Sequence, residues 1–361
     1  MSEGPIMIVA GGTGGHVFPG LAVASVLRSR AQDVVWMGTH RGLESRLVPQ
    51  AGIEIEWITV TGLRGRGVLA WLLAPFRLMH AVTQALGAVR RRRPAAVLGM
   101  GGFVSGPGGI AAWLTGRPLL IHEQNTVAGA ANRLLARLTT NIFEAFPQSF
   151  PERYSATLIG NPVRESITSL PSPAERFAER SGRRRVLVIG GSQGARTLNV
   201  EVPAAIALLP GDIEVEVWHQ AGAEAEAARA NYEQVSCELR LEAFIDDMTA
   251  AYAWADLVVC RAGALTIAEL TAAGVGAVLI PYPYAADDHQ QKNAASFAAN
   301  GAGLVITEEA LDANRLATAI ASILGDASMP LHMAELARAQ ARPRAAVELA
   351  EACLELAEAA A

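Results

Sequence analysis

A chain of 361 residues has room for two domains, each with its own buried core. Hydrophobic residues make up 51% of it, which suits α/β layers whose strands are covered on both faces. The formal net charge of −5 excludes a whole-molecule basic field for nucleic acid. Cys237, Cys260 and Cys353 are odd in number and lack metal-ligand spacing, so they read as reduced thiols.

No basic stretch precedes an apolar segment at the start, so no signal peptide is expected. Apolar runs at 6–10, 34–37, 55–59, 96–99, 119–122 and 141–143 predict buried parallel strands with helices or loops between them. The longest uncharged apolar stretch, 68–76, is less than half the ~20 residues needed to span a bilayer. The chain turns at 160–163, and Leu170-Pro-Ser-Pro173 with the charged residues through Arg185 reads as a domain connection. The pattern then restarts, with strands expected at 186–189, 214–219, 241–244, 257–260, 277–281 and 303–306. The C-terminal stretch is strongly helix-forming, with a break near Pro343. The expected fold is α/β, two Rossmann-like domains with an interdomain cleft.

Two glycine-rich turns follow strands and open helices, one at Gly11, Gly12, Gly14 and Gly15, the other at Gly190, Gly191 and Gly194. Such turns bare backbone N–H groups and the positive end of a helix dipole, which suits a phosphate or another polar group. Neither fits the dinucleotide pattern Gly-x-Gly-x-x-Gly. Val17 stands where the third glycine belongs in the first turn, and the second turn has no Gly-x-Gly. The acidic residue expected about 20 positions later is missing, as is a Walker A lysine, so nicotinamide and ATP chemistry are disfavoured.

Eight blocks in order along the chain resemble the MurG family of glycosyltransferases. They are GGTGGHVFPGLAVA at 11–24, GMGGFVSGPGG at 99–109, HEQN at 122–125, GNPVR at 160–164, GGSQGARTLN at 190–199, FIDDM at 244–248, CRAGALTIAEL at 260–270 and HQQKNA at 289–294. The resemblance implies transfer of N-acetylglucosamine from UDP-N-acetylglucosamine to lipid I, the undecaprenyl-diphospho-muramyl-pentapeptide, giving lipid II for peptidoglycan. It implies the GT-B fold, no cofactor and no tightly bound metal. Residues 1–163 plus 342–361 would take the lipid acceptor and meet the membrane, and 164–341 would take the donor. Implied partners are the two substrates, an anionic phospholipid surface, and other cell-wall synthesis or division proteins, with no nucleic acid. The implied location is peripheral, on the cytoplasmic face of the cell (inner) membrane. Ala262 departs from the serine common in the family.

His16, at the first helix's N-terminus, is the candidate base, since imidazole titrates nearest neutrality; the alternative is a loop histidine holding the glycine turn. Thr13, Gly14 and Gly15 would line the acceptor side. Asn125 offers a sugar both a donor and an acceptor, or caps the next helix. Glu123, the one carboxylate nearby, is the reserve base.

On the donor side, Ser192 and the fork of Arg164 face the diphosphate, although a junction arginine also serves as a salt-bridge partner. Ile245 would pack on the uracil ring and present backbone to it, while Asp246 and Asp247 read as helix N-caps. Ala264, Leu265, Thr266, Ile267, Ala268 and Glu269 form a further glycine-led helix start, with Glu269 accepting from ribose hydroxyls or pairing with a lysine. Gln290 and Gln291 would read the sugar. Arg64, Arg66, Arg77 and Arg90 to Arg93 around the 68–76 segment suit an anionic leaflet, or else that segment is an ordinary core-facing helix. The competing functions are a UDP-N-acetylglucosamine 2-epimerase and a non-catalytic nucleotide-sugar-binding protein.

Overall fold

A computed structural model describes residues 4–60, 74–178, 180–191, 195–284 and 288–360. The chain divides into two compact units, Met1–Arg164 with Pro343–Ala361, and Glu165–Arg342. The boundaries drawn from sequence stand one residue earlier.

In the first unit, β1 (Ile6–Val9), β2 (Val34–Gly38), β3 (Glu54–Trp57), β4 (Ala96–Gly99), β5 (Leu119–Glu123), β6 (Asn141–Glu144) and β7 (Thr157–Leu158) form one sheet. Every pairing is parallel, and the order is β3-β2-β1-β4-β5-β6-β7. Strand side chains alternate between faces, so β1 feeds two cores. Ile6 and Ile8 join Trp36, Leu98 and the first helix's Val17, Val23 and Leu27 on one face. Met7 and Val9 join Met37, Val97 and Ile121 on the other, with Ala85 and Val89 from helix Ala74–Arg92. The last helix, Ala345–Ala359, supplies Leu349, Ala350, Cys353 and Ala357 to the first of these cores and packs on the helix Gly14–Ser29. Each fully buried Leu or Val contributes roughly 1.5–3 kcal/mol.

The second unit repeats the plan. Strands β8 (Arg184–Ile189), β9 (Val215–Gln220), β10 (Glu238–Glu242), β11 (Leu257–Cys260), β12 (Gly276–Leu279) and β13 (Gly303–Val305) pair in parallel in the order β10-β9-β8-β11-β12-β13. In both sheets the order reverses beside the first strand, between β1 and β4 and between β8 and β11. Ligands of such sheets bind beyond the carboxyl ends of the strands at that switch point.

Two edges differ from expectation. β10 begins three residues before the expected 241–244 run and ends two short of it. It is an alternating strand: Leu239 and Leu241 pack on the core, while Arg240 pairs with Glu242 on the outer side. The two-residue β7 was not expected at all. Among the described residues no helix is long and apolar enough to cross a membrane.

Candidate active site

The first switch point is built from glycines around one histidine. His16 lies half-buried in the first turn of helix Gly14–Ser29. Its Nδ1 is 2.9 Å from Gln124 Oε1, and Gln124 Nε2 is 3.0 Å from His122 Nδ1 and 3.3 Å from the His122 carbonyl oxygen. His122 Nε2 is in turn 2.9 Å from the carbonyl oxygen of Gly160. His122 is fully buried, and desolvation pulls its pKa down to about 4, so the ring is neutral at physiological pH. Gly101 (φ +82°, ψ −172°) caps the helix Gly102–Leu114 in backbone space that essentially only glycine occupies. A Cβ at Gly101 would come within 2.9 Å of His16 Cε1 and Nδ1. Ser105 Oγ lies 2.8 Å from the Val9 carbonyl and 2.6 Å from that of Gly101, tying the loop to β1.

Thr13 is the N-cap of this helix and makes no side-chain capping bond. Gly12 N–H is already taken by Glu44, whose buried carboxylate also accepts from Thr39 N–H and Oγ1–H. Gly11, Gly38 and Gly42 leave room for it, since a Cβ on any of them would lie within 2.8 Å of Glu44 atoms. Nothing local in the sequence marks Glu44. Its carboxylate takes one of the N–H groups that the turn would otherwise bare.

Glu123 is corrected from reserve base to scaffold. Its Oε1 accepts from Asn125 N–H and Nδ2–H, each at 3.0 Å, and its Oε2 accepts from Gly129 N–H and Asn132 Nδ2–H, each at 2.9 Å. A buried carboxylate with four donors on its lone pairs has none left for a substrate proton. Asn125 does not cap the following helix, whose N-cap is Gly129. One Nδ2–H goes to Glu123, which leaves Oδ1 and the second Nδ2–H as the groups it can offer a sugar. Arg164 lays its guanidinium over the Phe18 ring, 5.2 Å from the centroid.

In the second unit, Gln220 at the end of β9 bridges the glycine turn. Its Nε2–H donates to the Gly191 carbonyl and its Oε1 accepts from Ile245 N–H, both at 3.0 Å. Ile245 is buried, so its expected role narrows: neither a free N–H nor an exposed side chain faces a nucleobase. Asp247, not Asp246, caps the helix Met248–Trp254, accepting from Ala250 N–H at 2.9 Å. Ser192 and Gly194 lie outside the described residues.

Helix Ala264–Ala273 starts at Gly263 without a side-chain cap, so the N–H groups of Leu265 and Thr266 lack intrahelical acceptors. Ile267 is buried and Ala268 half-buried along the same helix. Glu269 is buried, and Tyr252 O–H donates to its Oε2 at 3.1 Å. Arg261, at the end of β11, is held by Glu308 and sits over Tyr282. Burial raises the Glu308 pKa, but hydrogen bonds from Arg261 and Thr197 outweigh it and the net shift is downward. Asn293 Nδ2–H donates to the Ala262 carbonyl at 3.1 Å, docking helix His289–Ala298 beside the same loop. Gln290 Oε1 accepts from Tyr282 N–H at 2.9 Å, leaving its amide N–H groups, and Gln291 is exposed.

The chain also presents Phe76, Leu78 and Met79, 68%, 44% and 59% exposed, at the start of helix Ala74–Arg92, with Arg77 among them. Of the arginine cluster, Arg91 and Arg92 pair with Glu54 and Glu56 on β3. These ion pairs partly neutralise two members of the cluster, while Arg90 and Arg93 are exposed. Arg64, Arg66 and 68–73 lie outside the described residues.

The glycosyltransferase family 28 N-terminal domain matches residues 6–144, and the C-terminal domain of the same family matches 185–349. The chain belongs to glycosyltransferase family 28. A relative from Nitrosococcus oceani is 56% identical over 98% of both chains. Its name is UDP-N-acetylglucosamine–N-acetylmuramyl-(pentapeptide) pyrophosphoryl-undecaprenol N-acetylglucosamine transferase. The crystal structure of MurG from Acinetobacter baumannii, 37% identical, superposes with a TM-score of 0.83 over 98% of this chain and 99% of that one. UDP-GlcNAc 2-epimerase from Neisseria meningitidis shares the fold alone, at 11% identity and a TM-score of 0.67 over 97% of this chain and all of that one.

Proposed function

We propose that the chain transfers N-acetylglucosamine from UDP-N-acetylglucosamine to the 4-hydroxyl of the muramyl sugar of lipid I, with inversion, giving lipid II and UDP. The observation that carries this reading is the 56% identity over 98% of both chains to a relative named for that transfer. His16 takes the hydroxyl proton as the oxygen attacks the anomeric carbon, a service worth roughly 10²- to 10⁴-fold in rate. Thr13, Gly14, Gly15 and Asn125 Oδ1 meet the acceptor. On the donor side, the N–H groups of Leu265 and Thr266, with Ser192 and Arg164, receive the charge that develops on departing UDP, so no resident metal is required. Glu269 accepts from the ribose, the Ile245 carbonyl meets the base, and Gln290 Nε2 with Gln291 reads the sugar.

The acceptor's polyprenyl tail stays in a bilayer. Phe76, Leu78 and Met79 suit insertion into its surface, and Arg77, Arg90 and Arg93 suit anionic headgroups on the cytoplasmic face, at ~1 kcal/mol per basic residue near the membrane. Incubating the protein with UDP-N-acetylglucosamine, with and without lipid I, tests the transfer. UDP release that depends on lipid I supports it, and an epimerised sugar formed without lipid I overturns it. Flotation on anionic against neutral vesicles tests the surface, and equal binding to both removes the basic contribution.

A further inference from the structure

The polarity of the chain Gly160–His122–Gln124–His16 is forced from one end to the other. The Gly160 carbonyl can only accept, so His122 Nε2, 2.9 Å away, carries a proton. The buried ring is neutral, so His122 Nδ1 must accept, and the group 3.0 Å from it must be the Gln124 NH2. The same NH2 lies 3.3 Å from the His122 carbonyl oxygen, another obligate acceptor, which fixes the amide's orientation a second time. Gln124 Oε1 therefore points at His16 Nδ1, 2.9 Å away, and can only accept from it.

We propose that Gln124 and His122 are positioning residues that hold His16 as its Nδ1–H tautomer, so that the Nε2 lone pair is the one offered to the acceptor hydroxyl. This rests on the reading of His16 as the base. When the hydroxyl proton moves to Nε2, the oxygen's electron pair forms the bond to the anomeric carbon. The carbon–oxygen bond to the diphosphate breaks, and UDP leaves with that pair. The imidazolium left behind keeps its Nδ1–H on a carbonyl dipole already aligned by two further hydrogen bonds. Such chains polarise each other, so a neutral amide backed by a buried histidine does for His16 what a carboxylate does in other histidine bases. Gly101 and Gly102 close over the ring: a Cβ on the first would reach Cε1 and Nδ1 at 2.9 Å, and on the second Cδ2 at 3.4 Å.

The tautomer can be read in the protein without substrates. Long-range proton–nitrogen NMR spectra of ¹⁵N-histidine protein resolve the protonated nitrogen of each of its seven histidines, and His16→Asn identifies the His16 signals. The wild type is expected to show His16 protonated on Nδ1. Gln124→Met removes the acceptor, and His16 then shifts toward the Nε2–H form that free histidine favours in water. In Gln124→Met, kcat falls by about 10²-fold or more, the worth of a positioned base, with KM for UDP-N-acetylglucosamine unchanged. Gln124→Glu keeps an acceptor on His16 and so keeps Nδ1–H there, while driving a second proton onto His122. A wild-type His16 protonated on Nε2, or an unmoved tautomer in Gln124→Met, overturns the proposal. A moved tautomer with unmoved kcat supports the positioning but removes His16 as the base, so the two failures are distinguishable.

Discussion

Replacing Glu123 by Gln separates scaffold from base. The carboxylate holds four donors between 2.9 and 3.0 Å from residues 125, 129 and 132. A glutamine in the same rotamer puts NH2 in place of one oxygen, so whichever way the amide turns, two donors lose their acceptor and meet another donor. Hydrogen bonds to a charged group are worth ~1.5–3 kcal/mol each, so the loop stands to lose about 3–6 kcal/mol. That is a large share of the ~5–15 kcal/mol that keeps a domain folded. Two compact units need not unfold in one step, so the loss is best read locally. Hydrogen exchange at the Asn125 and Gly129 amides should quicken, and the first unit should unfold at lower urea. If Glu123→Gln exchanges and unfolds like the wild type while turnover collapses, the carboxylate is the base after all and the scaffold reasoning fails.

Gly101→Ala forces a side chain into backbone space costing roughly 1–3 kcal/mol and drives its Cβ against His16 and Gln124. Turnover should drop with UDP-N-acetylglucosamine affinity intact in calorimetry, and an unchanged kcat would show that the glycine does not shape the site. Burial holds His122 and His219 neutral, pulling each pKa from 6.5 to about 4. The unfolded chain binds protons in that window which the folded chain refuses. Stability is therefore full above pH 6.5 and falls as pH drops toward 4, by about 3 kcal/mol per histidine; urea midpoints at pH 7.5 and 4.5 measure it, and equal midpoints contradict it. Leu349→Ala empties a fully buried position in the first unit's core. A loss of about 2–5 kcal/mol should appear as earlier exchange in the helix Gly14–Ser29 rather than in the second unit.

The buried strands were legible because β1, β11 and the 186–189 part of β8 are continuous apolar runs leading into glycine-containing turns. The edges were not. β7 is two residues long, and β10 hides Leu239 and Leu241 between charged neighbours, so its signal is alternation rather than hydrophobicity. At the site, the glycine turns, His16 and the Asp247 cap could be read from local chemistry. Gln124 could not, because its partner lies 108 positions away and an amide beside a carboxylate draws less notice than Glu123. Glu44 escaped for a related reason. Its role is written in three glycines, Gly11, Gly38 and Gly42, that matter only for the volume they leave vacant. The pairing of Arg91 and Arg92 was not legible either, because Glu54 and Glu56 sit on a strand more than 30 positions earlier.

The final helix has a consequence for biosynthesis. Leu349, Ala350, Cys353 and Ala357 complete a layer begun by Ile6 and Ile8, so the opening lobe cannot close its interior while the ribosome is still making the second one. Until those turns emerge, the side of helix Gly14–Ser29 that packs on them lies open to water. Nascent chains stalled short of that point are therefore candidates for chaperone capture, whereas the central lobe, whose strands are contiguous in sequence, can mature on its own schedule.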